Sequence, residues 1–226
     1  MELSAPLVSS DAPVTLVGGG PVDPAQLAQA LALAPLAVAA DGGGDLALPG
    51  GRDFAAVIGD MDSVRDLAAL AARGVAIHPS DDQDTTDLEK CLAAIRAPLV
   101  LGLGFLHGRI DHQLAAMNAL VRWPAPPAIL IGGEDLAFRC PPRLALDLPA
   151  GMRVSLFPMA PATGLACEGL RWTVAGRTLA PDARIGTSNE ATGGPLRLAF
   201  DGPAMLVILP VETLPRVIDC LLAELP

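Results

Sequence analysis

Up to about residue 131, short apolar runs alternate with amphipathic stretches. VTLVGG, PLAVAAD, FAAVIGD, VAIHP, PLVLGLG and PAILIGG are each followed by a turn or a helical pattern, the order of strands joined by crossover helices. Helices are predicted over Pro24–Leu33, Val64–Arg73, Asp84–Arg96 and Asp111–Val121. In the third, Leu88, Cys91, Leu92 and Ile95 fall on one stripe at the spacing of a buried face, and Asp84 suits its N-cap. Beyond about residue 132 the helical period fades. RVSLFPM, GLRWTV, RTLA, LRLAF and AMLVILP then follow closely, separated by Gly, Pro, Asp and Asn, as in an all-β domain. The expected fold is α/β: an N-terminal doubly wound, mostly parallel sheet with helices on both faces (1–133), followed by a C-terminal β-sandwich domain (134–226). The boundary is set near Gly132–Leu136, and the tail Thr213–Leu225 is expected to close as a short helix.

Composition narrows the setting. No apolar run in the sequence approaches the roughly 20 residues of a membrane-spanning helix, and the opening MELSAPLVSSDAPVTLVGGG lacks a basic leader followed by an apolar stretch and a cleavage site. Cys91, Cys140, Cys167 and Cys220 are widely spaced with no C-x-x-C pair, which suits reduced thiols in the cytoplasm. The net charge of −10 argues against a nucleic-acid partner, which needs a dense Lys/Arg surface.

The position of the acids is more informative than their number. Asp41 ends one apolar run before Gly42 and Gly43, and Asp60 and Asp62 end another in GDMDS. In an open parallel sheet ligands bind beyond the carboxyl ends of the strands. In an extended segment Asp60 and Asp62 would point to one side, where two carboxylates repel unless a cation joins them, and Mg²⁺ commonly takes one or two carboxylates plus substrate phosphates. A structural reading stands beside this: Asp62 or Ser63 capping the helix from Val64. DDQDTTDLEK, residues 81–90, places five acids at a helix head. Asp84 and Asp87 share a helical face there, either as partners of the helix dipole or, for an inward Asp87, of a cation. LGLGFLHGRIDH, residues 101–112, is a Gly-rich strand-to-helix turn carrying Gly108, Arg109, Asp111 and His112, suited to phosphate through backbone N–H groups and a guanidinium fork. GGGP at 18–21, with Gly19, is a similar turn. Neither a Walker sequence nor a G-x-G-x-x-G turn is present.

In order, ADGGGDLA (40–47), GDMDS (59–63), DQDTTDLEKCL (82–92), GLGFLHGRIDH (102–112) and GTSNEATGGPLRL (186–198) resemble the thiamine pyrophosphokinase family. The resemblance implies transfer of a pyrophosphoryl group from ATP to thiamine, with Mg²⁺, in a homodimer whose substrate sites lie at the subunit interface. It implies that Asp60, Asp62 and Asp87 hold the metal, with Asp84 close by. Asp41, Gly42, Gly43, Arg109 and Asp111 would be nucleotide and phosphate contacts, joined by Gly19, Ser63, Thr86 and Gly108. Gln83, Asp87, Ser188 and Asn189 would touch thiamine. Asp84 or Asp87 would accept the hydroxyl proton. Arg171–Trp172 stands where the family often has a basic and an aromatic residue. One departure is His107 before a single Gly108, where the family usually has a Gly pair. A pyrophosphokinase for another alcohol such as a hydroxymethyl pterin, a metal-dependent phosphohydrolase and a non-catalytic sensor are the rival readings; GTSNE speaks against the first and the full set of carboxylates against the last.

Overall fold

The structure, a computed structural model, describes residues 5–224; the first four residues of the opening segment and Leu225 of the predicted tail helix lie outside them. Two compact units divide the chain, one running up to Ala119 with Ala125–Gly133, the other comprising Leu120–Pro124 and the chain from Glu134 onward.

In the first unit the strands are β1 (Val8–Ser9), β2 (Val14–Val17), β3 (Leu36–Ala40), β4 (Ala56–Gly59), β5 (Ala76–Pro79), β6 (Ile95–Arg96), β7 (Val100–Leu103) and β8 (Ala128–Gly132). Six of them lie in the order β8-β7-β2-β3-β4-β5, every pair parallel. β2, β4 and β7 are buried at every position, which explains their unbroken apolar sequences: a parallel strand covered on both faces has no solvent side to alternate with. From β2 the chain winds outward through β3, β4 and β5, then returns and winds the other way through β7 and β8. The order therefore reverses between β2 and β7, and the crevice beyond their carboxyl ends is where such sheets bind ligands.

The helices are α1 (Pro24–Leu33), α2 (Leu67–Ala72), α3 (Asp87–Ala94) and α4 (Ile110–Arg122), and three predicted bounds need correction. α2 begins at Leu67, because Asp66 is its N-cap and accepts the Ala69 N–H at 2.9 Å; neither Asp62 nor Ser63 caps it. α3 begins at Asp87 with Thr86, not Asp84, as N-cap, in a reciprocal box with Glu89. Ile95 and Arg96 leave the helix to pair in parallel with Val8 and Ser9; Pro98 just beyond restricts Ala97 to extended backbone and helps to end the helix.

The second unit contains β9 (Asp135–Arg139), β10 (Leu144–Leu148), β11 (Arg153–Pro158), β12 (Ala162–Glu168), β13 (Thr178–Leu179), β14 (Gly186–Glu190), β15 (Gly194–Phe200), β16 (Met205–Pro210) and α5 (Leu214–Ala223). Within it the strands are ordered β14-β11-β16-β9 and β10-β15-β12-β13, with antiparallel pairing throughout. The α/β fold followed by a β-rich C-terminal part agrees with expectation. α5 packs on β10 and buries Leu214, Val217, Ile218 and Leu221 at helical spacing; burying each such side chain stabilises by roughly 2 kcal/mol. GLRWTV is not a strand. The backbone N–H and C=O of Trp172 bond to the Asn189 side chain at 3.2 and 2.7 Å, replacing a strand ladder there. Among the described residues no helix is long and apolar enough to cross a membrane.

Candidate active site

A cleft of about 640 Å³ opens in the first unit at the carboxyl ends of its strands, within the range of ligand pockets. Its walls are the turn after β2 (Gly18 to Pro21), the ends of β3 and β4, the segment leading into α3, and the turn after β7 with the start of α4. The approach of β2 and β3 here requires Gly43: a Cβ at that position would stand 2.1 Å from the Val17 carbonyl oxygen.

Three carboxylates converge at one side, Asp41 and Asp60 in the cleft wall and the exposed Asp62 next to them, outside the lining. Asp41, Asp60 and Asp62 each offer an oxygen within 4.8 Å of the others. Asp60 and Asp62 are not in an extended segment; Met61 between them has φ 66°, and the Asp62 N–H donates to Asp60 Oδ1 at 3.3 Å. The turn, rather than strand alternation, brings them together. Ser63 Oγ donates to Asp62 Oδ1 at 2.7 Å. Asp41 itself has φ 43°, a left-handed conformation that costs a non-glycine residue about 1 kcal/mol. It is only 5 % exposed, and its Oδ1 is buried without a hydrogen-bond partner. A carboxylate oxygen shut away from water and unpaired is costly, and two neighbouring carboxylates add repulsion. A hard divalent cation with oxygen ligands relieves both, so these residues fit Mg²⁺. Gly59 keeps the geometry, since a Cβ there would meet the Asp41 Cβ at 2.8 Å.

Asp87 lies outside that set of three. It opens α3 and lines the cleft, and its Oδ1 stands 3.3 Å from Lys90 Nζ. Burial raises its carboxyl pKa, opposed by Lys90 and reinforced by Asp41 and Asp60. Asp84 is exposed and precedes the helix, with its N–H donating to Asp82 Oδ1 at 2.9 Å; it is not among the cleft-lining residues, whereas Gln83 and Thr86 are. The Thr86 hydroxyl is engaged with Glu89 in the cap, at 3.1 Å to the carboxylate.

At the other end Arg109 and Asp111 form a two-bond pair, Nη2 to Oδ2 at 2.5 Å and Nε to Oδ1 at 3.1 Å, and the bond from Arg109 holds the Asp111 carboxyl below its ordinary range. Arg109 lines the cleft and Asp111 does not. The His107 ring lies over Gly132 and Gly133, where an added Cβ would approach it to 3.3 Å, and it forms part of the cleft wall. Gly19, Gly42, Ser63 and Gly108 also line the cleft, while Gly43 packs behind it.

In the second unit, Ser188 has φ 58° and its N–H donates to Ser155 Oγ at 3.0 Å, at a bulge between β11 and β14. Asn189 is 6 % exposed, and both ends of its amide are taken by the Trp172 backbone. It presents Trp172, 55 % exposed, beneath the Arg171 guanidinium at 4.9 Å. Sequence reasoning passed over Lys90 and Phe105, both of which line the cleft. The available signal for Lys90 was its place three residues after Asp87, on the same helical face.

An acidic, glycine-walled cleft at the switch point of a parallel α/β sheet, followed by a β-rich unit, defines an α/β ligand-binding protein with a carboxylate-rich site. Known proteins make the class specific. The profile described as thiamin pyrophosphokinase, catalytic domain, matches residues 27–130, and that described as thiamin pyrophosphokinase, vitamin B1 binding domain, matches residues 143–204. Thiamine pyrophosphokinase 1 of Oryza sativa subsp. japonica is 30% identical over 170 residues, covering 66% of this chain and 64% of that protein. Thiamine pyrophosphokinase 2 of Arabidopsis thaliana is 31% identical over 150 residues, 58% and 56% of the respective chains. The chain thus matches somewhat less than two thirds of the length of these relatives. The crystal structure of yeast thiamin pyrophosphokinase superposes with a TM-score of 0.75 at 15% identity, covering 99% of this chain and 96% of that one; at that identity the match speaks for the fold. The chain belongs to the thiamin pyrophosphokinase family.

Proposed function

We propose that the protein transfers the pyrophosphoryl group of ATP to the hydroxyl oxygen of thiamine, giving thiamine diphosphate and AMP. The observation that carries this is the convergence of Asp41, Asp60 and Asp62 around an unpartnered buried oxygen in a cleft of a thiamin pyrophosphokinase-family chain. Asp41, Asp60 and Asp62 would hold Mg²⁺, which when bound neutralises phosphate charge and orients the transferring group. The glycine turns at 18–20 and 104–108 offer backbone to the polyphosphate, and Arg109 exchanges part of its pairing with Asp111 for phosphate oxygens. The thiamine oxygen forms a bond to the β-phosphorus as the bond from that phosphorus to the AMP oxygen breaks, and the hydroxyl proton passes to Asp87. Burial, which raises its pKa, makes Asp87 a better proton acceptor than the exposed Asp84. Gln83 reaches the cleft to contact thiamine, as the resemblance implies for Ser188 as well; Asn189 instead acts through Trp172. Four thiols without disulfides favour a reducing compartment, and we place the protein in the cytoplasm, which cell fractionation checks.

Incubated with ATP, Mg²⁺ and thiamine, the protein is expected to release AMP only when thiamine is present. AMP or phosphate release that ignores thiamine would instead identify a hydrolase. We further propose a homodimer, which the resemblance to the thiamin pyrophosphokinase family supports. Light scattering coupled to size exclusion should give twice the chain mass of 23.1 kDa; a monomer at micromolar concentration would refute this part.

A further inference from the structure

Among the described residues three Lys or Arg side chains line the cleft, Arg65, Lys90 and Arg109, and they are engaged to different degrees. Lys90 is buried beside Asp87 and Asp60. Arg109 gives two hydrogen bonds to Asp111. Arg65 is the exception. Its backbone N–H donates to both oxygens of Asp45 at 3.1 Å, so that carboxylate is largely taken up by the main chain. The guanidinium keeps a single ion-pair contact, Nε to Asp45 Oδ2 at 3.5 Å, on a side chain 89 % exposed. A guanidinium is a planar fork of donors that matches phosphate oxygens, and at Arg65 the fork stands open on the cleft rim.

The local backbone places it there. Arg65 follows β4 through the turn that carries Asp60 and Asp62, and Asp45 ends the helical turn that Asp41 begins. The bonds between Asp45 and the Arg65 N–H therefore tie together the two segments that bear the converging carboxylates. In the sheet β2 and β3 lie between β4 and β7, so Arg65 and Arg109 stand on opposite sides of the switch point.

We infer that Arg65 is a second phosphate-binding guanidinium, engaging the two terminal phosphates of the nucleotide from the β4 side, across the cleft from Arg109. This rests on the reading of the cleft as an ATP site. A divalent cation in phosphoryl transfer bridges the terminal phosphates, and the carboxylates suited to such a cation sit in the segments that Asp45 and Arg65 join; the fork is accordingly nearer those phosphates than the nucleoside. Asp45 holds the main chain of Arg65 in place while the side chain exchanges one long contact for phosphate oxygens.

The test is calorimetric titration of ATP with Mg²⁺, and separately of AMP, into the thiamine-free protein. Wild type is expected to bind both. Arg65→Gln, which keeps the N–H that Asp45 accepts, is expected to weaken ATP binding on the order of tenfold, the loss of a hydrogen-bonded charge pair, and to leave AMP binding unchanged. Arg65→Lys keeps the charge without the fork and should fall between the two. ATP binding by Arg65→Gln equal to that of wild type overturns the inference alone. Equal weakening of ATP and AMP also overturns it, since Arg65 would then act on the part common to both nucleotides. Failure of wild type to bind ATP overturns the ATP-site reading together with the inference.

Discussion

Asp60→Asn is expected to lower thiamine-dependent turnover by at least about a thousandfold while the protein still folds. Asp60 is the one carboxylate shared by the converging acids and the Lys90 ion pair, so its loss removes charge from both. The same convergence makes the metal-free site unfavourable: three carboxylates within 4.8 Å repel, and one oxygen is buried unpaired. Neutralising Asp60 relieves part of that repulsion, so the metal-free variant should melt no lower than wild type, the usual trade of stability for function at a strained site. Mg²⁺ should raise the melting temperature of wild type by mass action and leave the variant unmoved. Steady-state AMP release and thermal melting with and without Mg²⁺ check both halves. Activity within tenfold of wild type would remove Asp60 from the site.

Gly43→Ala is expected to destabilise the fold by about 3 kcal/mol or more, at the upper end of what overpacking costs. The added methyl would stand 2.1 Å from the Val17 oxygen and 2.9 Å from its carbonyl carbon. Those are backbone atoms of β2, which is hydrogen-bonded on both sides to β3 and β7 and cannot move away alone. Relief means parting β2 from the turn that carries Asp41, so the variant loses the cleft as well as stability. Gly202→Ala is the control: its Cβ would meet only the Pro161 oxygen at 3.8 Å, and it should be nearly neutral. Urea unfolding measures both; a Gly43→Ala effect no larger than the control's would show that β2 and β3 yield more easily than their pairing implies.

The parallel sheet was legible because its strands are buried on both faces and therefore read as plain apolar runs. Helix starts were less so. Around α3 five acids crowd the segment, and any of them makes a plausible cap; the box formed by Thr86 and Glu89 was written in the sequence but masked by its neighbours. Pro98 marks an end of α3 nearby, but its exact place was not legible locally, since Ile95 and Arg96 become a strand only through Val8 and Ser9, far away in the chain. In the second unit LALDL alternates cleanly in burial, inward at Leu144, Leu146 and Leu148, yet so short a run is easily passed over, whereas GLRWTV has strand composition but is held by Asn189. The convergence of Asp60 and Asp62 was anticipated on the wrong ground: a turn at Met61 produces it. Lys90 was missed because a helical lysine ordinarily reads as solvated, and only the packing of α3 beside Asp60 shows that it is not.

The account stands on pyrophosphoryl transfer to thiamine, and following the label from ATP carrying ³²P at the β position tests it most directly. With Mg²⁺ and thiamine, the label is predicted to appear in thiamine diphosphate, one equivalent for each AMP formed. Label remaining in ADP, or released as phosphate or pyrophosphate at the same rate without thiamine, would contradict it.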